Sequence, residues 1–219
     1  MATKSKVRQI LVVDDHPLVR RGLSDLISDE PTLAVCGEAA DSDEAMKLLR
    51  EFRPHLVIVD ISLGDKSGLD LIKRIAAHDS NIRILVSSMH DEVLFAERCI
   101  RAGATGYINK EVATERVIEA INHVLAGEIY LSPKMTRRIL RNVAGADVQD
   151  EPPIAKLTDR ELEVFALIGR GNTTREISQN LNLSIKTIES YRENIKSKLG
   201  ITTSAELSRH AVQWVLENG

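Results

Sequence analysis

Short β-branched runs alternate with longer stretches of helical period along the first half of the chain. The apolar runs fall at 10–13 (ILVV), 33–36 (LAVC), 56–59 (LVIV), 82–86 (IRILV) and 106–108 (GYI). Between them, apolar residues recur three and four positions apart, as at Leu18, Leu23, Leu26 and Ile27, and again at Ala45, Leu48 and Leu49. Five strands alternating with five helices predict an α/β domain: a doubly wound, five-stranded parallel sheet covered on both faces. In such sheets ligands collect at the carboxyl ends of the strands, where the strand order reverses.

The pattern breaks over 129–155. Pro133, Gly145, Asp147, Asp150 and the Glu151-Pro-Pro153 run mark a linker, with a short basic helix from Lys134 to Asn142 inside it. After Leu157 the chain turns all-helical. Thr158 and Glu161, Thr173 and Glu176, and Thr203 and Glu206 each set a hydroxyl three residues before a carboxylate, the capping-box signature of a helix start. Four short helices then make a second, smaller all-α domain. The reading is therefore a first domain over 1–128, a linker over 129–155 and a helical domain over 156–219.

Composition narrows the class. Hydrophobic residues make up 43% and charged residues 28%, the balance of a globular chain. No apolar stretch approaches the ~20 residues of a membrane span, and the first residues lead into a strand rather than a signal-peptide core, so a cytoplasmic location is expected. Cys36 and Cys99 lie 63 positions apart, too far for a CxxC, and read as reduced thiols. The net charge of −3 divides unevenly: 16 basic and 21 acidic residues over 1–128, 4 and 3 over 129–155, and 9 and 8 over 156–219. A helical domain at +1 does not by itself announce a nucleic-acid partner.

The candidate chemistry lies at the strand ends. Asp14 and Asp15 follow the first strand and Asp60 follows the third, and in a doubly wound sheet those ends are neighbours. Crowded carboxylates repel unless a cation joins them, and Mg²⁺, hard and oxygen-seeking, suits such a cluster. Ser88 ends the fourth strand and Lys110 follows the fifth. Three carboxylates, a hydroxyl and an ammonium at one sheet edge fit the handling of a phosphoryl group. Asp60 is then the nucleophile, with the metal, Ser88 and Lys110 on its oxygens.

These residues resemble the receiver domain of two-component response regulators, a flavodoxin-like fold. Asp14-Asp15 follows LVV, Asp60 follows LVIV, Ser88 lies in ILVSSM and Lys110 in GATGYINK; the spacings of 28 and 22 residues from Asp60 to Ser88 to Lys110 are those of that family. The resemblance covers about 8–128. It implies that Asp60 is the phosphoacceptor and that Asp14, Asp15, Asp60 and the backbone carbonyl of Ser62 ligate Mg²⁺. It also implies that Tyr107 is an aromatic switch and that the phosphodonor is a sensor histidine kinase. Gly64 stands where the family carries a proline, which implies a less rigid 61–68 loop. Ser62 and His90 occupy positions that tune the phosphate's lifetime; His16 and His90 flank the site without ligating the metal.

In the helical domain, residues 184–200 projected at about 100° per residue put Ile188, Tyr191, Ile195 and Leu199 on one stripe. Lys186, Glu189, Ser190, Glu193, Asn194 and Ser197 fall opposite. A short helix from Thr173 and a tight turn at 182–184 precede it, the layout of a helix-turn-helix. Leu157-Thr158, Arg160-Glu161, Glu176-Ile177, Lys186-Thr-Ile188 and Lys198-Leu-Gly200 resemble the NarL/LuxR-type (FixJ-like) effector domain over 156–219. That resemblance implies a transcription factor on double-stranded promoter DNA. It sets Lys186, Glu189, Ser190 and Glu193 toward bases, and Arg192, Lys196, Lys198, Thr173 and Thr174 toward phosphates. It further implies a homodimer on paired half-sites, with its seam on the last helix (Ala205, Val212, Trp214, Val215, Leu216).

Two rival classes remain. A metabolic phosphatase built on Asp60 would need a second aspartate two positions on; Ile61 and Ser62 stand there instead, so the chain is not read as a metabolic enzyme. The other is a receiver-containing protein-interaction regulator without DNA binding, which Glu189, Glu193 and the +1 charge keep open.

Overall fold

Strand β1 (Arg8–Val13) is the hub of the first unit. The computed structural model describes residues 7–63, 66–89, 92–110, 114–143, 153–181 and 183–218. After β1 come α1 (Pro17–Ser28), β2 (Leu33–Ala39), α2 (Ser42–Phe52) and β3 (Leu56–Val59). A small antiparallel hairpin, β4 (Ser62–Leu63) and β5 (Lys66–Ser67), leads into α3 (Gly68–His78). Then follow β6 (Arg83–Ser88), α4 (Glu92–Ala102), β7 (Gly106–Asn109), α5 (Thr114–Ala126) and α6 (Pro133–Val143).

The main sheet is parallel throughout, in the order β2-β1-β3-β6-β7. All four residues of β3 are buried, which is why this strand reads as an unbroken apolar run instead of alternating. One core layer joins Ile10 and Val12, Leu56 and Ile58, Leu85 and Ile108 to Ile27 of α1 and Ala120, Ile121 and Val124 of α5. The chain order reverses between β1 and β3, whose last residues, Val13 and Val59, are register partners. The pairing continues past the strands, since the Asp60 N–H donates to the Val13 carbonyl at 2.9 Å.

The five-stranded parallel sheet matches the periodicity reading, with three differences. Strand β2 runs on to Ala39 because it is an edge strand, where Glu38 can face solvent. The β4–β5 hairpin is an addition. Leu18, counted among the periodic apolar positions of α1, is 86% exposed. Gly64 and His90, on which the loop-rigidity and phosphate-lifetime expectations rest, lie outside the described residues.

Residues after 128 remain attached to this sheet. Tyr130 bridges Gly106: its carbonyl accepts from the Tyr107 N–H at 2.9 Å, and its own N–H donates to the Thr105 carbonyl at 3.1 Å. The Ser132 N–H donates to the Glu92 carboxylate at 2.8 Å, and Met135 of α6 is fully buried. The compact units divide between Arg137 and Arg138, inside α6.

The second unit is helical: a 3-10 turn (Pro153–Lys156), α7 (Asp159–Gly169), α8 (Thr174–Asn180), α9 (Ile185–Leu199) and α10 (Ser204–Asn218). The capping boxes read from sequence form at Thr158/Glu161 and Thr173/Glu176, and Thr203 and Glu206 make the same reciprocal bonds. Gly200, at φ 68°, ends α9 in the left-handed conformation. Gly169 lets α7 and α10 approach closely: a Cβ there would lie 2.3 Å from the Ala211 carbonyl oxygen. Phe165 and Trp214 pack beside it with ring centroids 5.8 Å apart. Trp214 is therefore a core residue and not part of an exposed seam; Val212 (41%) and Leu216 (81%) are the exposed large apolar residues of α10, with Ala205 exposed at its start.

Candidate functional site

The edge formed by the ends of β1, β3, β6 and β7 carries the acidic site. Asp14 and Asp60 are both almost fully buried. The Lys110 ammonium sits between them, 2.6 Å from Asp14 Oδ2 and 2.7 Å from Asp60 Oδ2. Its position follows from β7: the Lys110 N–H donates to the Ser88 carbonyl at 2.9 Å, continuing the β6–β7 register by one residue. Two buried carboxylates would repel in a medium this poor in water, and one ammonium offsets both.

The Asp60 carboxyl is raised to about 6, because burial, with Asp14 adding to it, outweighs the opposing pull of Lys110. The Ser62 backbone N–H also donates to the Asp60 carboxylate, which favours its ionised form. Burial alone would lower the Lys110 pKa, but its two carboxylate partners outweigh that and raise it.

Asp15 is more exposed and completes the carboxylate group. Asp14, Asp15, His16 and Asp60 each offer a ligand atom, all within 4.8 Å of one another. His16 was set aside in the sequence reading, yet its Nδ1 lies 2.8 Å from Asp15 Oδ1 and its backbone N–H donates to Asp14 Oδ1 at 2.9 Å. Three carboxylates at a strand switch point form an acidic pocket of the kind that takes Mg²⁺, and the oxygen-rich donor set fits that ion.

Ser88 is fully buried and hydrogen-bonded to the Tyr107 side chain, which is itself 1% exposed. Burial drives the Tyr107 phenol well above its ordinary pKa, so it stays neutral. Asp14, Asp60, Ser88, Tyr107 and Lys110 thus form one connected cluster. Two supporting residues were not anticipated. Arg20, one turn after His16, donates a guanidinium hydrogen bond to the Asp14 carbonyl. Gly68 closes on the loop: a Cβ there would stand 2.3 Å from the Asp60 carbonyl oxygen and 2.6 Å from Ile61 Cα. A glycine eight residues after an acidic strand end was the available signal.

In the second unit, α8 and α9 form the expected pair, Ser184 capping α9 through the Thr187 N–H. Asn182, in the turn between them, lies outside the described residues. Ile188 and Ile195 are fully buried, while Lys186, Glu189, Ser190 and Glu193 are exposed together on the opposite side. Thr173 is occupied as the N-cap of α8, its hydroxyl bonded to Glu176, and Thr174 is half-buried. Arg192 is half-buried. Lys196 pairs with Glu193 at 2.9 Å.

Lys198 departs from its assigned place facing phosphates. Its ammonium is 2.6 Å from Glu161 Oε2, on a carboxylate 3% exposed that also receives the Thr158 N–H at 2.7 Å. The contact joins the last turn of α9 to the first turn of α7, and burying Glu161 requires such a counter-charge.

The geometry agrees with the relatives of the chain. Residues 10–122 match the family "Response regulator receiver domain" and residues 155–211 match "Bacterial regulatory proteins, luxR family". Response regulator GacA of Pseudomonas aeruginosa is 33% identical over 205 residues, covering 94% of this chain and 95% of its own. Response regulator UvrY of Escherichia coli K12 is 34% identical over 209 residues, 95% of each chain. Among solved structures, the RcsB response regulator of Salmonella typhimurium superposes with a TM-score of 0.75 at 26% identity, over 95% of this chain and 98% of that one. RcsB from Salmonella enterica serovar Typhimurium, described as bound to promoter rprA in the presence of phosphomimetic BeF3−, does so at 0.72 and 25% identity, over 94% and 99%. The chain belongs to the response regulators, with a receiver domain followed by a luxR-family regulatory domain.

Proposed function

We propose that this response regulator takes a phosphoryl group on Asp60 from a sensor histidine kinase and, so modified, binds promoter DNA through α9. The observation that carries the reading is the Lys110 ammonium bridging buried Asp14 and Asp60 at the switch point of the sheet. A carboxylate oxygen of Asp60 attacks phosphorus on the kinase phosphohistidine; the P–N bond breaks, and the imidazole leaves as an aspartyl phosphate forms. Asp14, Asp15, Asp60 and the Ser62 carbonyl would hold Mg²⁺, which supplies charge neutralisation to phosphoryl oxygens. Lys110 transfers its ammonium from the two carboxylates to one phosphoryl oxygen, and the Ser88 hydroxyl turns to another. Tyr107, bonded to Ser88 in the unmodified chain, follows. The chemistry ends with acceptance and slow hydrolytic release of the phosphoryl group, which is no metabolic turnover.

The donor reaches Asp60 across the mouth of the site. A cleft of about 280 Å³ adjoins Lys110, lined also by His16, Val19, Met89 and Val117. This apolar rim suits a kinase helix. Among the described residues no helix is long and apolar enough to cross a membrane, and we place the protein in the cytoplasm. The receiver domain is assigned to 1–128, the linker to 129–155 and the effector domain to 156–219. The related RcsB is described as bound to a promoter, which supports DNA as the target here.

Intact-mass measurement after acetyl phosphate and Mg²⁺ tests the nucleophile: the wild type gains one acid-labile phosphate and Asp60→Asn gains none. Selection from random duplexes with the phosphorylated chain tests the output. A recovered half-site motif supports DNA binding. Glu189 and Glu193, both exposed on α9, favour the second reading, a protein-interaction regulator, if no motif emerges.

A further inference from the structure

Helix α6 carries the largest net positive charge of the described helices. From 129 to 146 there are four cations, Lys134, Arg137, Arg138 and Arg141, and no carboxylate. At about 100° per residue the four occupy one stripe roughly 100° wide, offset from the line of Met135 and Ile139. Met135 is fully buried and Ile139 half-buried, while Lys134 and Arg137 are exposed and Arg138 is half-buried, so Lys134 and Arg137 are the open part of the stripe. Arg137 is steadied by a hydrogen bond from its Nε to the Pro133 carbonyl at 3.1 Å. Ser132 starts the helix by accepting from the Met135 N–H at 3.1 Å, and the Glu92 carboxylate holds the Ser132 N–H. The cationic face is thus carried on a helix fixed at its first turn.

We propose that this face of α6 binds the phosphate backbone of the DNA that the effector domain reads, an inference that rests on the DNA-binding reading above. Residues 156–219 carry 9 cations against 8 carboxylates, and Glu189 and Glu193 stand exposed on the recognition helix. Lys198 is held by Glu161 and Lys196 by Glu193, so two of the nearby cations already have carboxylate partners. The sequence-independent part of affinity for a polyanion scales with cations delivered to phosphates, and the effector domain brings few in surplus. A helix whose own sequence holds four cations and no carboxylate, with Lys134 and Arg137 exposed on it, has the charge a polyphosphate surface requires. Lys134 to Arg141 spans about 10 Å of helix, enough to meet two or more phosphates of one strand. Such contacts position without reading bases.

The test uses the full-length phosphorylated chain and a labelled duplex of mixed sequence, with affinity measured by anisotropy across roughly 50 to 200 mM salt. Lys134→Gln with Arg137→Gln should flatten the log-affinity against log-salt slope by about 1.8 and weaken binding roughly tenfold, since each phosphate contact contributes about 0.9 to the slope. The selected base motif should not change. Lys134→Arg with Arg137→Lys should keep the wild-type slope, and Lys47→Gln with Arg50→Gln, an equal loss of exposed charge on α2, should leave it unaltered. A wild-type slope in the α6 double variant overturns this inference alone. Equal flattening in the α6 and α2 variants also overturns it, because bulk charge would then be the cause. Failure of the wild type to bind any duplex overturns it together with the DNA-binding reading.

Discussion

Lys110 occupies the place between Asp14 and Asp60 that would otherwise hold two bare buried charges. Its removal, as Lys110→Ala, leaves those carboxylates uncompensated, and Ser88→Ala removes the hydroxyl bonded to Tyr107. Both variants should still accept phosphate on Asp60 but fail to report it. For an ordinary coupling the phosphorylation-linked gain in DNA affinity is about 5–150-fold, and in the double variant it should fall below about twofold. Paired DNA titrations with and without acetyl phosphate check this; full switching would remove both residues from the mechanism. Gly68 tests the loop beneath. Gly68→Ala sets a Cβ against the Asp60 carbonyl, where backbone and not a pliable side chain must yield. A loss of about 3 kcal/mol in denaturant unfolding is expected, with slowed phosphorylation, as for other overpacked sites. Asp14, Asp60, Ser88 and Lys110 were legible in sequence because each ends or follows a strand. Gly68 and Arg20 were not, since their contacts cross between segments whose approach no local pattern encodes.

Helices α7 and α9 are joined by an ion pair that periodicity could not reveal. Glu161 appeared as a capping residue, and so it is, but its carboxylate also receives Lys198 from 37 residues away. Burial pushes the Glu161 pKa up, while the Lys198 ammonium and the Thr158 donors more than reverse this, so the net value lies below the ordinary 4.5. The folded form therefore holds its proton less tightly than the unfolded chain. That stabilisation is complete above about pH 4.5 and disappears as pH falls through the depressed folded value. Glu161→Gln should cost about 2 kcal/mol at neutral pH, the scale of a charged hydrogen bond lost from a buried site. Urea unfolding at several pH values should show the gap to wild type narrowing only in acid. A gap unchanged down to pH ~3 would rule out this linkage. The same element view explains Trp214. Apolar count made α10 look like a uniform seam, but Gly169 draws it onto α7 and turns Trp214 inward.

For the molecule as a whole, the alternation of strands and helices and the capping residues together specified one parallel α/β unit and one helical unit. The limit of the first unit was less legible. Tyr130 is tied to the sheet edge by backbone hydrogen bonds, which any sequence can supply and none advertises, and Ser132 to α4 through the Glu92 carboxylate, 40 residues away in the chain. Assembly of the active form is argued from what remains exposed on α10. Val212 and Leu216 lie one turn apart on its outer side, a narrow apolar strip suited to a second copy. Val212→Glu with Leu216→Glu should keep the phosphorylated protein monomeric on DNA by sedimentation and weaken binding to paired half-sites more than to a single one. Unchanged dimer on paired sites would place the seam elsewhere.

The repeated threonine–glutamate caps carry a consequence in time. Each of α7, α8 and α10 begins with a signal contained in four residues, so its first turn can nucleate without help from distant chain. In the receiver α2 has a local cap at Asp41, but the parallel sheet has no such shortcut, because β1 must find β3 some 46 residues away before the two can pair. After a denaturant jump the helical unit should regain its fluorescence, reported by Trp214 against Phe165, well before the parallel sheet closes. The reader of DNA would then be rebuilt ahead of the switch that governs it, and every refolding chain would pass through an interval of output without control.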